Sequence, residues 1–132
     1  MIANASIASK TVVSAPELLW TNPNPYASFA AQNVAVSGDY AGYIVEIKSG
    51  AQNSVSGNQY RQMYVPNPLI IDQYTPFYIS GTFGSSVPVW RKIYSMEDGV
   101  FSIGSGYRYV SYQDKNDEVC IPTRIWGVKW TL

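Results

Sequence analysis

At 132 residues the chain has the length of one domain, and a domain of that size buries roughly two thirds of the surface its unfolded chain exposes, so it needs no staple to fold. Nine basic residues balance nine acidic ones, which leaves no long-range field to gather nucleic acid or an anionic membrane, and no run of about 18 apolar residues is present to span a bilayer. With no histidine and a single cysteine, Ser-His-Asp triads, His-activated thiolates, the familiar zinc sites and any intrachain disulfide drop out, so neither catalytic residues, a metal nor a cofactor is expected.

Only 14% of the residues are charged, well below the usual quarter or so. Tyr, Ser, Asn, Gln and Gly take their place, a composition suited to short strands and polar turns rather than to solvated helices. The expected fold is therefore all-β: an antiparallel β-sandwich, jelly-roll-like, or a barrel, formed by residues 17–132 behind a short N-terminal arm.

Residues 1–16, MIANASIASKTVVSAP, contain no aromatic side chain and end on a proline. The β-branched run at 11–13 favours extended chain. This segment is expected to be an arm for attachment or oligomerisation, with Ile2, Ile7, Val12 and Val13 as its contact residues. It lacks the basic start and long apolar stretch of a signal peptide, which implies synthesis in a cytoplasm. Leu18, Leu19 and Trp20 then open the domain. In Thr21-Asn22-Pro23-Asn24-Pro25, two prolines at alternate positions hold both asparagines out of the helical region and predict a loop of fixed shape.

Strands are expected at 29–36, 43–48, 60–65, 77–83, 87–95, 100–103, 107–112 and 124–132, several of them alternating with a period of two. A polar Gly-Ser-Asn loop is read at 49–58. Met96-Glu97-Asp98-Gly99 predicts a turn in which Gly supplies positive φ, Gly104-Ser105-Gly106 a second turn, and QDKNDE at 113–118 a solvated one. With the short apolar segments at 69–71 and 119–121 the count is roughly nine or ten strands, the rhythm of a sandwich or barrel and not of βαβ units. In the last strand, Trp126, Val128 and Trp130 are read as the core face, opposite Ile125, Gly127, Lys129 and Thr131, with Trp130 among the costliest residues to truncate. Cys120, beside Ile121, is read as a small buried hydrophobe.

Three acids cluster at Asp114, Asp117 and Glu118. A glycosidase pair would need an apolar environment to separate their pKa values, and these read as a charged turn. Asp114, Asn116 and Glu118 alternate like calcium ligands but lack the glycine and terminal glutamate of a calcium loop. The aromatic content says more. Eleven Tyr and four Trp exceed what a core of this size requires, and Tyr keeps its hydroxyl paired or wet, so some must lie at the surface. Tyr107, Arg108, Tyr109, Tyr112 and Asp114 combine flat apolar faces with hydrogen-bonding tips in one hairpin and form the candidate ligand site. That chemistry suits sugar rings; it equally suits a subunit interface, or cross-strand pairing that merely stabilises the sheet.

The stretches LLWTNPNPYASFAAQNVAV, YAGYIVEIK, RKIYSMEDGVFSIGSGYRY and CIPTRIWGVKW resemble a small β module of tail-fibre, baseplate or head-fibre proteins of phages that infect Gram-positive gut bacteria. The likeness spans about residues 18 to 130, bracketed by the Trp-Thr-Asn-Pro-Asn-Pro start and the Cys-Ile-Pro end. It implies a virion appendage, usually trimeric, that binds the host surface, and it assigns no binding residue. The chain departs from a long fibre in having only a 16-residue arm before the domain. The expected function is thus a non-enzymatic structural or appendage protein of a virion, self-associating as a homo-oligomer with a trimer favoured, joined to other virion proteins through the arm, and adhering to cell-surface glycan. The alternatives are a purely structural capsid or fibre decoration subunit with its aromatics at subunit interfaces, and a polysaccharide depolymerase using acids such as Asp39, Asp98 or Asp114.

Overall fold

The computed structural model describes residues 11–12, 15–36, 38–50, 60–67, 77–83, 87–97, 99–109 and 111–131, with backbone alone at 11–12, 77, 81–83, 95–97 and 130–131. Among them there is no helix, and eleven strands are present: β1 (Thr11–Val12), β2 (Glu17–Thr21), β3 (Gln32–Ala35), β4 (Gly42–Gly50), β5 (Tyr60–Pro66), β6 (Phe77–Phe83), β7 (Val87–Glu97), β8 (Val100–Tyr109), β9 (Gln113–Lys115), β10 (Val119–Val128) and β11 (Trp130–Thr131).

Two antiparallel sheets pack face to face. The first runs β2-β10-β4-β5 and the second β3-β8-β7-β6, with β9 joining β8 beyond the end of β3. This is a sandwich of two separate sheets and not a closed barrel. Successive strands β2, β3 and β4 alternate between sheets in the jelly-roll manner, whereas β4–β5 and β6–β7–β8 pair with their neighbours in sequence. Between the layers, Val34, Tyr43, Val45, Ile47, Val65, Ile79, Val89, Ile93, Phe101, Ile103, Ile121 and Ile125 form the core. Alternation explains the choice: every second residue of a strand points one way, so Tyr43, Val45 and Ile47 go in together and Ile44, Glu46 and Lys48 go out.

The same rule sends an arginine inward on β7, where Val89, Arg91 and Ile93 share the core face and Arg91 is fully buried. Its guanidinium is satisfied by backbone carbonyls. Nε donates to Cys120 at 2.8 Å and Val119 at 3.3 Å, Nη1 to Gly104 at 3.0 Å and Nη2 to Asp117 at 2.8 Å. Consecutive carbonyls of a regular strand point in opposite directions. Cys120 escapes this by adopting φ of 53°, a left-handed conformation uncommon for a non-glycine residue, and both carbonyls face one guanidinium. Burial lowers the Arg91 pKa to about 10, still charged at neutral pH, and raises that of the Cys120 thiol to about 12.

Three sequence expectations change here. Gly104-Ser105-Gly106 is not a turn but the middle of β8; a Cβ on Gly106 would meet the Asn116 carbonyl, and the Val119 carbonyl at 2.8 Å, so glycine serves close approach. The 113–118 segment is not simply solvated. It begins with β9 and is fastened inward through the Asp117 carbonyl, which also accepts from Phe29 N–H at 2.8 Å. In the last strand Ile125 is fully buried and Trp126 only half so, the reverse of the expected faces, because β10 pairs Ile125 with the core-facing Val45 of β4 and Trp126 with the outward Ile44. Val128 is buried as expected, Cys120 likewise, and Gly99 supplies the positive φ of its turn at 73°.

The end of the arm pairs within its own chain. β1 runs antiparallel to β11, Thr11 opposite Thr131 and Val12 opposite Trp130. Ile2, Ile7 and Val13 lie outside the described residues, as do the side chains of Val12 and Trp130.

Candidate functional site

The outward face of the first sheet carries a row of polar residues aligned across all four strands. Gln62 of β5 is opposite Glu46 of β4, Glu46 opposite Arg124 of β10, and Arg124 opposite Thr21 of β2. On one side of this row lie Tyr60 and Lys48; on the other, Tyr64, Ile44, Trp126 and Leu18 form an apolar row. The loop after β2 closes over the Tyr60 end. Its shape is fixed as the prolines predict: Asn22 Oδ1 accepts from Asn24 N–H at 2.8 Å, while Asn22 Nδ2 donates to the Pro122 carbonyl at 2.9 Å. The Pro25 carbonyl accepts from Lys48 Nζ at 3.4 Å, and the Tyr26 ring sits 4.0 Å from the same ammonium.

Between loop and sheet is a pocket of about 370 Å³ lined by Thr21, Asn22, Pro25, Glu46, Tyr60, Thr123 and Arg124. Glu46 is buried although it points away from the core, and each of its oxygens has two donors. Oε1 accepts from Thr123 Oγ1 at 2.8 Å and Arg124 Nε at 2.9 Å; Oε2 accepts from Arg124 Nη2 at 3.0 Å and Gln62 Nε2 at 3.3 Å. Burial alone would raise its pKa, but the hydrogen bonds from Arg124, Thr123 and Gln62 outweigh this and hold the carboxyl below its ordinary value. Thr123 reaches Glu46 because β10 bulges between Pro122 and Arg124, where the extra residue turns its hydroxyl toward β4. Arg124 is 47% exposed, and its guanidinium lies 5.0 Å from the Trp126 ring.

The residues expected to form the site lie on the other sheet. The β8–β9 pairing brings them together, Tyr107 opposite Lys115, Arg108 opposite Asp114 and Tyr109 opposite Gln113, but alternation divides them between faces. Tyr107 points outward and stacks on Trp90 at 5.9 Å, with Tyr109 beyond it. Arg108 is on the opposite side, joined to Asp114 at 2.8 Å. Tyr112 stands exposed in the connecting turn. Tyr78, Lys92 and Tyr94 continue this aromatic face; the Lys92 ammonium is 5.8 Å from the Tyr78 ring, and Tyr94 lies across Gly104. Of the acids considered for hydrolysis, Asp39 is exposed and Asp98 lies outside the described residues.

No family model, curated protein or solved structure matches the chain. Among the described residues, no three of His, Cys, Asp and Glu are grouped to hold a metal ion.

Sequence reasoning missed Glu46, Arg124, Thr21 and Tyr60 as one site. A signal was present: in GYIVEIKSG, Glu46 and Lys48 interrupt the outward face of a long central strand, and Tyr60 and Gln62 alternate on its partner.

Proposed function

We propose that the chain is a non-enzymatic structural or appendage protein of a phage virion, built as a sandwich that holds an aromatic-rimmed pocket rigidly against host cell-surface glycan. The observation that carries this reading is the pocket above the Glu46–Arg124 pair, flanked by Tyr26 and Tyr60, both about half exposed. Flat rings beside fixed polar groups are the means by which proteins hold sugars, and several weak sites on one oligomer gain strength by avidity. Tyrosine dominates the surface more broadly: Tyr26, Tyr60, Tyr64, Tyr78, Tyr94, Tyr109 and Tyr112 are all exposed. The resemblance to fibre and baseplate modules supports the virion setting, a trimer, and attachment to other virion proteins through the arm.

Hydrolysis fits the pocket poorly. A general acid needs a raised pKa and a free oxygen, and Glu46 has neither. The second reading, a decoration subunit with buried aromatics, is favoured by one feature, the outward Trp90–Tyr107 stack with Tyr78, Tyr94 and Tyr109 around it. A glycan array probed with the intact oligomer is expected to show binding that Tyr60→Ala removes. A blank array, with assembly lost on Tyr107→Ala and Tyr109→Ala, overturns adhesion in favour of the decoration subunit. Solution mass is expected to give a trimer, and a stable monomer overturns the appendage reading.

A further inference from the structure

We propose that the pocket selects a sugar unit bearing an anionic substituent, carboxylate or phosphate, and that Arg124 is the residue that receives it. This rests on the glycan reading and narrows it. The pocket volume of about 370 Å³ falls within the range of small-molecule sites, which begins near 300 Å³.

The protonation and hydrogen-bond state of the lining decides the ligand's charge. Glu46 cannot take a cation or a ligand hydroxyl, because both of its oxygens are already committed to Thr123, Gln62 and Arg124. The Asn22 side chain is held in place by Pro122 and Asn24, as one wall of the pocket. Arg124 differs. A guanidinium has five N–H groups and two edges that can each grip a pair of oxygens. Glu46 occupies the edge formed by Nε and Nη2, which leaves the edge formed by Nη1 and Nη2 with no hydrogen bond among the described residues. That side chain lines the pocket and is nearly half exposed.

The ion pair and the Trp126 ring fix the guanidinium plane from two sides, so the open edge is presented without loss of rotamer freedom on binding. Tyr60, which lines the pocket and is about half exposed, supplies a flat face for the ring that carries the anionic group.

The test is a titration of the intact ¹⁵N-labelled protein, read at the Trp126 indole N–H and the Arg124 Nε–H, with D-glucuronate, glucose 6-phosphate and D-glucose in separate arms. Both anionic sugars are expected to shift these signals at least tenfold more tightly than glucose, with the preference shrinking as salt rises. Arg124→Gln is expected to level the three sugars. Arg124→Lys, which keeps the charge but lacks the second edge, is expected to retain only part of the preference. A larger shift with one anionic sugar than with the other identifies the substituent. Glucose binding at the same signals as tightly as glucuronate overturns the anionic selection while leaving the glycan reading intact. Acetate or inorganic phosphate binding as tightly as the sugars overturns the sugar half. Silence from every sugar, together with a blank array, overturns both.

Discussion

Two arginines separate what is structural in this molecule from what is available to a ligand. Arg91 lies between the sheets and gives its donors to four main-chain carbonyls, so that it acts as a strut joining β7 to β8, to the turn at Asp117 and to the start of β10. Arg124 lies on the outer face, is held by one carboxylate, and lines a pocket with an edge that has no hydrogen bond among the described residues. Their chemistry is identical and only their partners differ. Carbonyls distributed over three segments need the whole guanidinium, whereas a single carboxylate needs half of it.

The comparison breaks most visibly at the strut. Arg91→Met should strand buried carbonyls and let Cys120 relax, lowering stability by about 4 kcal/mol, read as a lower urea midpoint with an unchanged slope. A loss below about 1 kcal/mol would show that water replaces the guanidinium. Next comes Glu46→Ala, which frees Arg124, leaves Gln62 without its acceptor and leaves Thr123 only the main-chain carbonyl of residue 46; about 2 kcal/mol is expected, together with loss of sugar binding at the Trp126 signal.

A smaller effect is the pH dependence of the same pair. The folded pKa of Glu46 is depressed, so its stabilisation is fully present above the ordinary value of 4.5 and is lost as pH falls through the lower folded value. Wild type should therefore converge on Glu46→Gln in melting temperature below pH 4.5 and separate from it above. Parallel curves would remove Glu46 from acid unfolding. Smaller still is the half-buried Arg108–Asp114 pair at the sheet's end: either partner replaced by alanine should cost under about 1 kcal/mol. Least of all, Tyr60→Ala and Tyr109→Ala should each leave stability within about 0.5 kcal/mol, and only the first should lose sugar.

Much of the fold was legible in the residues, because its signals are local. The alternation at 43–48 and 60–65, the Asp-Gly turn and the proline-stiffened loop each state their geometry within a few positions. Gly104-Ser105-Gly106 misled, since glycine marks a turn and a place of close approach with the same letter, and only the chain lying over Gly106 distinguishes them. Trp126 misled because its face is set by the register with β4, which puts Ile125 beside Val45, and a register leaves no mark in either strand's sequence. The candidate site was the least legible. Tyr107 to Asp114 lie within one hairpin and invite attention, while Thr21, Glu46, Gln62 and Arg124 come from four strands and meet only through register. A row of that kind is written in the topology.

The β1–β11 pair has a mechanical consequence. Thr11 faces Thr131 and the strands are antiparallel, so the first residue of β1 and the last of β11 lie at the same end of the ladder. Tension applied between the two ends of the chain therefore opens this ladder one rung at a time, as a zipper, and does not shear all its hydrogen bonds at once. The pair is a soft first link under load, and its release would lengthen the tether before any strand of the two packed sheets is disturbed.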